Sequence, residues 1–130
     1  MASSVSGKQG GSSEELSRQQ VTNLLSFFNT IDNILAVVDF EGNFVELNRA
    51  GLDLLGYSQD EIRGQGVAMI FPKELHQEIS RRYTEVKKAE TGEWQYILIT
   101  KSGVGINCEI SFHKGLWDNK DAFYIVAKPI

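Results

Sequence analysis

Three side chains of this sequence belong to types that carry chemistry. Cys108 has a thiol that acts as a nucleophile or a metal ligand once it is ionised. His76 has an imidazole that binds iron or zinc, and Trp94 has an indole on which a planar cofactor can stack. The chain contains one cysteine and two histidines, and Cys108 lacks a second cysteine at metal-ligand spacing. These residues therefore predict no metal site.

The motifs of common enzyme classes are also missing from the sequence. There is no HExxH, no Gly-rich phosphate loop after a strand and no nucleophile elbow, so we expect no catalytic activity. A formal net charge of -4 with interspersed acids and bases argues against nucleic acid as a partner. The apolar runs are far shorter than the ~20 residues that span a bilayer. We therefore expect a cytoplasmic chain without membrane insertion.

The N-terminal part divides into two segments that precede the main domain. Residues 1–13 are rich in Ser and Gly and predict a flexible leader, either native or vector-derived. Residues 14–32 predict an amphipathic helix, extending to about residue 30, and a link. This helix has more apolar residues than a lone surface helix needs, so one face can meet a second copy. The predicted homodimer interface consists of Leu16, Leu24, Phe27 and Phe28.

The remaining residues, 33–130, predict one domain in which strands and helices are kept apart. A β-hairpin, Ile34–Val38 and Phe44–Leu47, precedes short helices capped by Asn48 and Ser58. A longer helix is predicted from residue 72 to about residue 90, closed by Thr91-Gly92. Three more strands are predicted at the end of the chain: 94–101, 105–114 and 122–128. This order favours an α+β domain with an antiparallel sheet.

Seven short motifs follow one another in a specific order between residues 34 and 130. They are Asp39, Gly42, Asn48-Arg49-Ala50, Leu55-Gly56-Tyr57, Glu61-Ile62-Arg63-Gly64, Thr91-Gly92-Glu93-Trp94 and Lys101-Ser102-Gly103. Each motif alone occurs by chance in many chains. The ordered set, together with the predicted order of strands and helices, resembles the PAS (Per-ARNT-Sim) sensor domains.

This resemblance implies a five-stranded antiparallel sheet in the order 2-1-5-4-3, with helices packed on one face around a small cavity. Members of the family bind haem, flavins, small metabolites or nothing, and most dimerise through a helix before the first strand. The resemblance therefore implies a regulatory sensor module of a larger signalling protein, such as a sensor histidine kinase. The alternative is a ligand-free PAS domain that acts only in protein–protein interaction or dimerisation.

The sequence does not identify a cofactor, because it contains neither a complete flavin-binding motif nor a complete haem-binding motif. Asn107-Cys108 resembles the start of the Asn-Cys-Arg-Phe-Leu-Gln motif of light-oxygen-voltage domains, but Glu109-Ile110 follow instead. Haem-binding PAS domains use a histidine of the long helix, yet His76 lies at the edge of the apolar stripe. Trp94 occupies a region where flavin-binding members place a tryptophan. We keep His76 as a weak haem-ligand candidate and assign no cofactor.

A cavity between the helices and the sheet is the main candidate for a ligand site. The period of two along strands and the helical spacing predict its wall. Its expected residues are Val37, Met69, Ile70, Ile79, Tyr83, Trp94, Ile97 or Leu98, Cys108, Ile110 and Tyr124. The alternative is that these side chains fill the space completely and form an ordinary core.

Overall fold

The computed structural model describes residues 18, 23 and 27–130. The described residues 18, 23 and 27–30 are helical, in agreement with the predicted N-terminal helix. The predicted leader and two of the predicted interface residues, Leu16 and Leu24, lie outside the described residues. No helix in the part of the chain that the structure describes is long and apolar enough to cross a membrane.

The first two strands, β1 (Ile34–Asp39) and β2 (Phe44–Leu47), form the predicted hairpin. The turn between them depends on Asp39, whose side-chain Oδ1 accepts hydrogen bonds from the backbone N–H groups of Glu41 and Asn43. Gly42 has a φ of 93°, a conformation that glycine adopts without a steric cost. The aspartate and the glycine together set the short turn.

Two short helices follow the hairpin and confirm the predicted caps. Helix α1 (Arg49–Leu55) begins after Asn48, whose side chain accepts from the N–H of Gly51. Helix α2 (Gln59–Ile62) begins with a capping box in which Ser58 and Glu61 bond each other's backbone N–H. These caps satisfy N–H groups that have no partner within the helix.

The longer helix starts later and ends earlier than its sequence pattern predicts. Two 3-10 turns, Val67–Ile70 and Lys73–Leu75, lead into helix α3 (His76–Val86). Pro72 therefore opens a 3-10 turn instead of the α-helix. The end point at residue 90 was wrong because the backbone N–H groups of Lys88 and Ala89 bond the carbonyls of Glu85 and Val86 in tight turns after the helix.

The last three strands are longer than predicted: β3 (Thr91–Ile99), β4 (Gly105–Trp117) and β5 (Lys120–Pro129). The expected long loop between β4 and β5 is a two-residue turn. Asp118 and Asn119 have positive φ values of 53° and 64°, which Asp and Asn tolerate better than most residues. The strands consequently continue as a paired ladder up to this turn.

The five described strands form one antiparallel sheet in the order β2-β1-β5-β4-β3, which confirms the predicted fold class. Helices α1 to α3 pack on one face, here called the helix face. The main core lies on this face. It contains alternate strand residues, such as Ala36, Val38 and Leu98, and helix residues such as Leu55 and Ile79. Both faces of β1 are buried, however, since Val37 is as inaccessible to solvent as its neighbours.

Candidate functional site

An apolar cavity of about 70 Å³ lies on the helix face of the sheet, between α3 and strands β3 to β5. Helix α3 contributes residues at three- and four-residue spacings, which place them on one side of the helix. The strands contribute alternate residues, which point to one face of the sheet. Its lining residues are Val67, Phe71, Ile79, Arg82, Tyr83, Val86, Trp94, Tyr96, Ile110, Phe112, Phe123 and Ile125.

Aromatic rings form the wall nearest the start of β3. Trp94 and Phe112 stack with ring centroids 5.3 Å apart, and Phe123 packs edge-on against Phe112 at 6.0 Å. Tyr83 from α3 completes the group, edge-on to Phe123 at 5.5 Å. Gly92 makes room for this wall, since a Cβ at that position would lie 2.4 Å from Phe112. The rings thus present apolar and π surface to the cavity.

A polar network spans one edge of the cavity, here called the rim, and joins α3 to β3. The Tyr96 hydroxyl donates to Glu78 Oε2 at 2.8 Å and accepts from Arg82 Nε at 2.8 Å. The Arg82 guanidinium also donates to Glu85 and lies 5.5 Å from the centre of the Trp94 ring. Burial raises the pKa of Tyr96, and the hydrogen bond to Tyr96 raises the pKa of Arg82.

Tyr83 connects the cavity wall to the β1–β2 turn. Its hydroxyl donates to the backbone carbonyl of Asp39 at 2.6 Å. Its ring also covers Gly42, where an added Cβ would lie 3.4 Å from the ring. Burial raises the pKa of Tyr83, and the negative charges of Asp39 and Glu41 add to the effect. A ligand that displaces this ring would therefore also disturb the first hairpin.

Asn48 connects the N-terminal helical residues, β1 and α1 through one fully buried side chain. Its Oδ1 accepts from the backbone N–H groups of Leu35 and Gly51, each at 3.0 Å. Its Nδ2 donates to three carbonyl oxygens, those of Phe28, Ile31 and Asn33. The side chain thus does more than cap α1, because it also fixes the chain that enters β1.

A sequence profile described as the PAS fold matches residues 28–122. The chain belongs to the PAS family. No curated protein matches the chain closely enough to count as a relative. Solved structures do resemble it, and those below share less than a fifth of its residues.

Three solved PAS domains illustrate the structural likeness. The PAS domain of an HTR-like protein from Haloarcula marismortui has a TM-score of 0.79 at 16% identity, covering 92% of this chain and 99% of that one. A PAS domain from a two-component sensor histidine kinase has a TM-score of 0.77 at 11% identity, covering 88% and 99%. The PAS domain of the Cronobacter turicensis quorum-sensing receptor RpfR, in complex with BDSF, has a TM-score of 0.63 at 17% identity, covering 77% and 95%.

Four of the residues predicted for the pocket wall line the cavity of this PAS domain. They are Ile79, Tyr83, Trp94 and Ile110. Ile70 and Cys108 lie in the main core, and Met69 packs against that core. Burial raises the pKa of the Cys108 thiol and favours its protonated form. Cys108 therefore has the environment of a small core residue.

Val37, Ile97 and Tyr124 lie on the opposite face of the sheet from the cavity, which corrects their predicted placement. Val37 and Tyr124 line a depression on that second face, and Ile97 is 38% exposed. Leu98, the alternative to Ile97, is fully buried on the helix face. The prediction was wrong because these strands carry apolar residues on both faces, so the period of two did not identify the inner one.

His76, the weak haem-ligand candidate, is not among the residues that line the cavity. Its Nε2 lies 2.9 Å from the carbonyl oxygen of Phe71, a contact at the start of α3. The cavity itself is also small, since sites for drug-sized ligands occupy ~300–1,000 Å³. A haem or a flavin does not fit the cavity of about 70 Å³. Among the described residues, no group of three His, Cys, Asp or Glu is placed to hold a metal ion.

Sequence reasoning missed the rim and two of the four rings of the aromatic wall. Arg82 and Tyr96 carry polar groups and were not expected in an apolar cavity. The alternation of Trp94, Tyr96 and Leu98 along β3 is the signal that identifies Tyr96 as a residue of the helix face. The same alternation pairs Phe112 with Ile110 in β4 and Phe123 with Ile125 in β5. In β5, however, both faces are apolar, so the alternation does not identify the face that lines the cavity.

The second face of the sheet also has an apolar surface, next to the helical residues 27–30. Phe28, Ile31 and Leu35 line its depression together with Val37, Trp117 and Tyr124. The exposed fraction of Phe27 is 64% at the margin of this surface. The described part of the N-terminal helix therefore lies on the second face, away from the cavity.

Proposed function

We propose that this chain is the regulatory sensor module of a larger cytoplasmic signalling protein, such as a sensor histidine kinase of a two-component system. The observation that carries the proposal is the apolar cavity bounded by aromatic rings, with the rim along one edge. A small molecule enters this cavity and changes how α3 packs on the sheet. Any catalytic output belongs to another domain of the parent protein.

The similar structures support a sensory role. One of them comes from a two-component sensor histidine kinase. Another is a quorum-sensing receptor domain in complex with BDSF, which supports a role in binding a small molecule. Because folds assign function less well than sites do, the cavity remains the primary argument.

Two contacts provide a route from the cavity to the N-terminal helix. The hydroxyl of Tyr83, in the cavity wall, donates a hydrogen bond to the carbonyl of Asp39 at the end of β1. The Asn48 side chain accepts a hydrogen bond from the start of β1 and donates to the carbonyls of Phe28 and Ile31. A ligand that shifts Tyr83 thereby changes the position of β1 relative to the N-terminal helix. This shift is the proposed output signal.

Mass spectrometry under native conditions tests the sensory role on freshly purified protein. We expect a retained small-molecule mass, or a compound in a metabolite panel that raises the midpoint of thermal unfolding by about 2–8 °C at saturation. An absorption spectrum identifies any retained chromophore. A protein that carries no extra mass and shifts with no compound would overturn the proposal.

We also propose that the module forms a homodimer through its N-terminal helix. Phe27 is 64% exposed at the margin of the apolar surface on the second face, and contiguous apolar surfaces mark interaction sites. Phe28, Leu16 and Leu24 complete the interface predicted from the sequence. Substitution of Phe27 by Asp is expected to convert a dimer into a monomer in analytical ultracentrifugation. Leu54→Asp is the matched control, because Leu54 is 40% exposed on α1, outside the second face.

A ligand-free interaction domain is the second candidate function, and the small size of the cavity favours it. Small movements of the lining side chains would fill a cavity of about 70 Å³ and turn it into an ordinary core. This candidate predicts dimerisation that depends on Phe27 but no effect of any small molecule. A Phe27→Asp variant that remains dimeric would exclude the helix as the interface in both candidates.

A further inference from the structure

The size of the cavity limits the ligand that the proposed sensor binds. The cavity of about 70 Å³ is roughly half the size of an apolar cavity of ~150 Å³ that binds benzene, so it suits a ligand of only a few non-hydrogen atoms. A larger ligand requires the stacked rings of Trp94 and Phe112 to move apart. This argument rests on the proposed sensory function and narrows the class of ligand.

The wall of the cavity offers a ligand almost no polar partner. Val86, Ile110 and Phe123 present only carbon atoms. The Tyr83 hydroxyl is already bonded to the carbonyl of Asp39. No buried side-chain nitrogen or oxygen among the described residues lacks a hydrogen bond, so none awaits a ligand group. A charged group in this space would lose its hydration without compensation.

The rim carries charge, but its balance disfavours an anion. Arg82 supplies one positive charge, while Glu78 and Glu85 supply two negative charges within the same network. The guanidinium already donates to Tyr96 and to Glu85. A carboxylate ligand near the rim would meet the repulsion of both glutamates. A cation would be attracted there and would then face an apolar wall.

We infer that the cavity binds a small, uncharged, mainly apolar molecule of a few non-hydrogen atoms. The molecule contacts the ring of Trp94, on the side of the sheet opposite Trp117. The two tryptophans therefore report separately, since Trp117 packs on Tyr124 on the second face with ring centroids 6.5 Å apart. Replacement of Trp117 by Phe leaves Trp94 as the single fluorescent reporter of the cavity.

Three probes of nearly equal size test the inference in the Trp117→Phe protein: 1-butanol, butyrate and butylammonium. We expect 1-butanol to change the Trp94 fluorescence in a saturable manner. Both ions are expected to bind at least ~10-fold more weakly, because the wall cannot replace their hydration. Butyrate or butylammonium that binds as tightly as 1-butanol would overturn the inference. A response to 1-butanol that never saturates would also overturn it.

A variant with a filled cavity separates binding in the cavity from a general solvent effect. Val86→Phe places a ring in the lining and should weaken the 1-butanol response by at least ~10-fold. Val104→Phe is the control, because Val104 is 58% exposed in the β3–β4 turn and should retain the full response. If Val86→Phe does not fold, Val86→Leu serves with a smaller expected loss. Equal responses of the cavity variant and the control would contradict the inference.

The results also distinguish this inference from the proposed function. If native mass spectrometry finds a large or charged ligand that quenches Trp94, the sensory function stands and the inferred ligand class fails. If 1-butanol saturates the cavity while no natural compound binds, the ligand class stands and the sensory function fails.

Discussion

Two polar networks fasten the chain to the sheet, and they differ in their access to water. The Asn48 side chain is fully buried and uses both ends of its amide, with five hydrogen bonds. The rim network of Arg82, Tyr96 and Glu78 is only partly buried. Water replaces a broken rim bond, whereas a broken bond of Asn48 leaves a buried group unpaired. The first network is therefore a rigid clamp, and the second is a contact that can open.

The largest effect is expected from Asn48→Ala, which removes the clamp. The carbonyls of Phe28, Ile31 and Asn33 lose their donor, and the N–H groups of Leu35 and Gly51 lose their acceptor. We expect the free energy of unfolding to fall by about 3 kcal/mol, since the five hydrogen bonds of one fully buried side chain are lost together. Urea unfolding measures this loss, with exposed Asn107→Ala as a control that should change stability by less than about 0.5 kcal/mol.

Asn48→Asp sharpens the same test because it keeps the acceptor and removes the donor. The cap on Gly51 can remain, but a carboxylate oxygen then faces three carbonyl oxygens. We expect a loss of stability of at least about 2 kcal/mol at neutral pH, through repulsion and an unpaired buried charge. A variant as stable as the parent would show that the contacts to the N-terminal segment contribute little.

The next effect concerns the aromatic wall behind the rim. In Gly92→Ala the new Cβ would lie 2.4 Å from Phe112, so the stacked pair must shift. We expect a loss of about 1–3 kcal/mol in urea unfolding and an altered near-ultraviolet circular dichroism spectrum from Trp94. Gly66→Ala is the matched control, since its Cβ has no neighbour closer than 3.9 Å. Equal losses in both variants would exclude the crowding of Phe112 as the cause.

Tyr83→Phe is expected to lower the free energy of unfolding by about 1 kcal/mol, through loss of the bond to Asp39. The substitution should also change how the free energy of unfolding depends on alkaline pH. The folded protein holds the Tyr83 proton more tightly than the unfolded chain, so stability is lost as pH rises above about 10. Urea unfolding at about pH 8 and about pH 11 should show a smaller alkaline loss in the variant. Tyr96 and Tyr124, whose pKa values are also raised, keep part of that loss.

The smallest effect on stability is expected from Tyr96→Phe, which opens the rim. Arg82 and Glu78 regain water when the hydroxyl is removed, so the loss should stay below about 1 kcal/mol. Hydrogen exchange of the α3 amides should nevertheless become faster, because the link from α3 to β3 is gone. Tyr57→Phe, at a half-buried site outside the rim, should leave that exchange unchanged. If Tyr96→Phe costs as much stability as Asn48→Ala, the contrast between clamp and rim is wrong.

Turns and caps could be predicted from the sequence because they depend on a few neighbouring residues. Gly42, Asn48 and the Ser58–Glu61 capping box all appear in their expected roles. The start of β3 could not be placed, because pairing across the sheet decided it. Gly92 illustrates the difference, since it was interpreted as a turn residue and instead makes space for Phe112.

The family, the order of the strands and the local caps of this PAS domain followed from its residue pattern. The side of the sheet that each apolar residue faces depended on how the elements pack. Val37 and Tyr124 were expected in the pocket, yet they lie on the second face. Because both faces of β1 and β5 carry apolar residues, hydrophobicity does not distinguish the faces. Likewise, the rim exists only because α3 brings Arg82 and Glu78 to Tyr96 from positions 14 and 18 residues away.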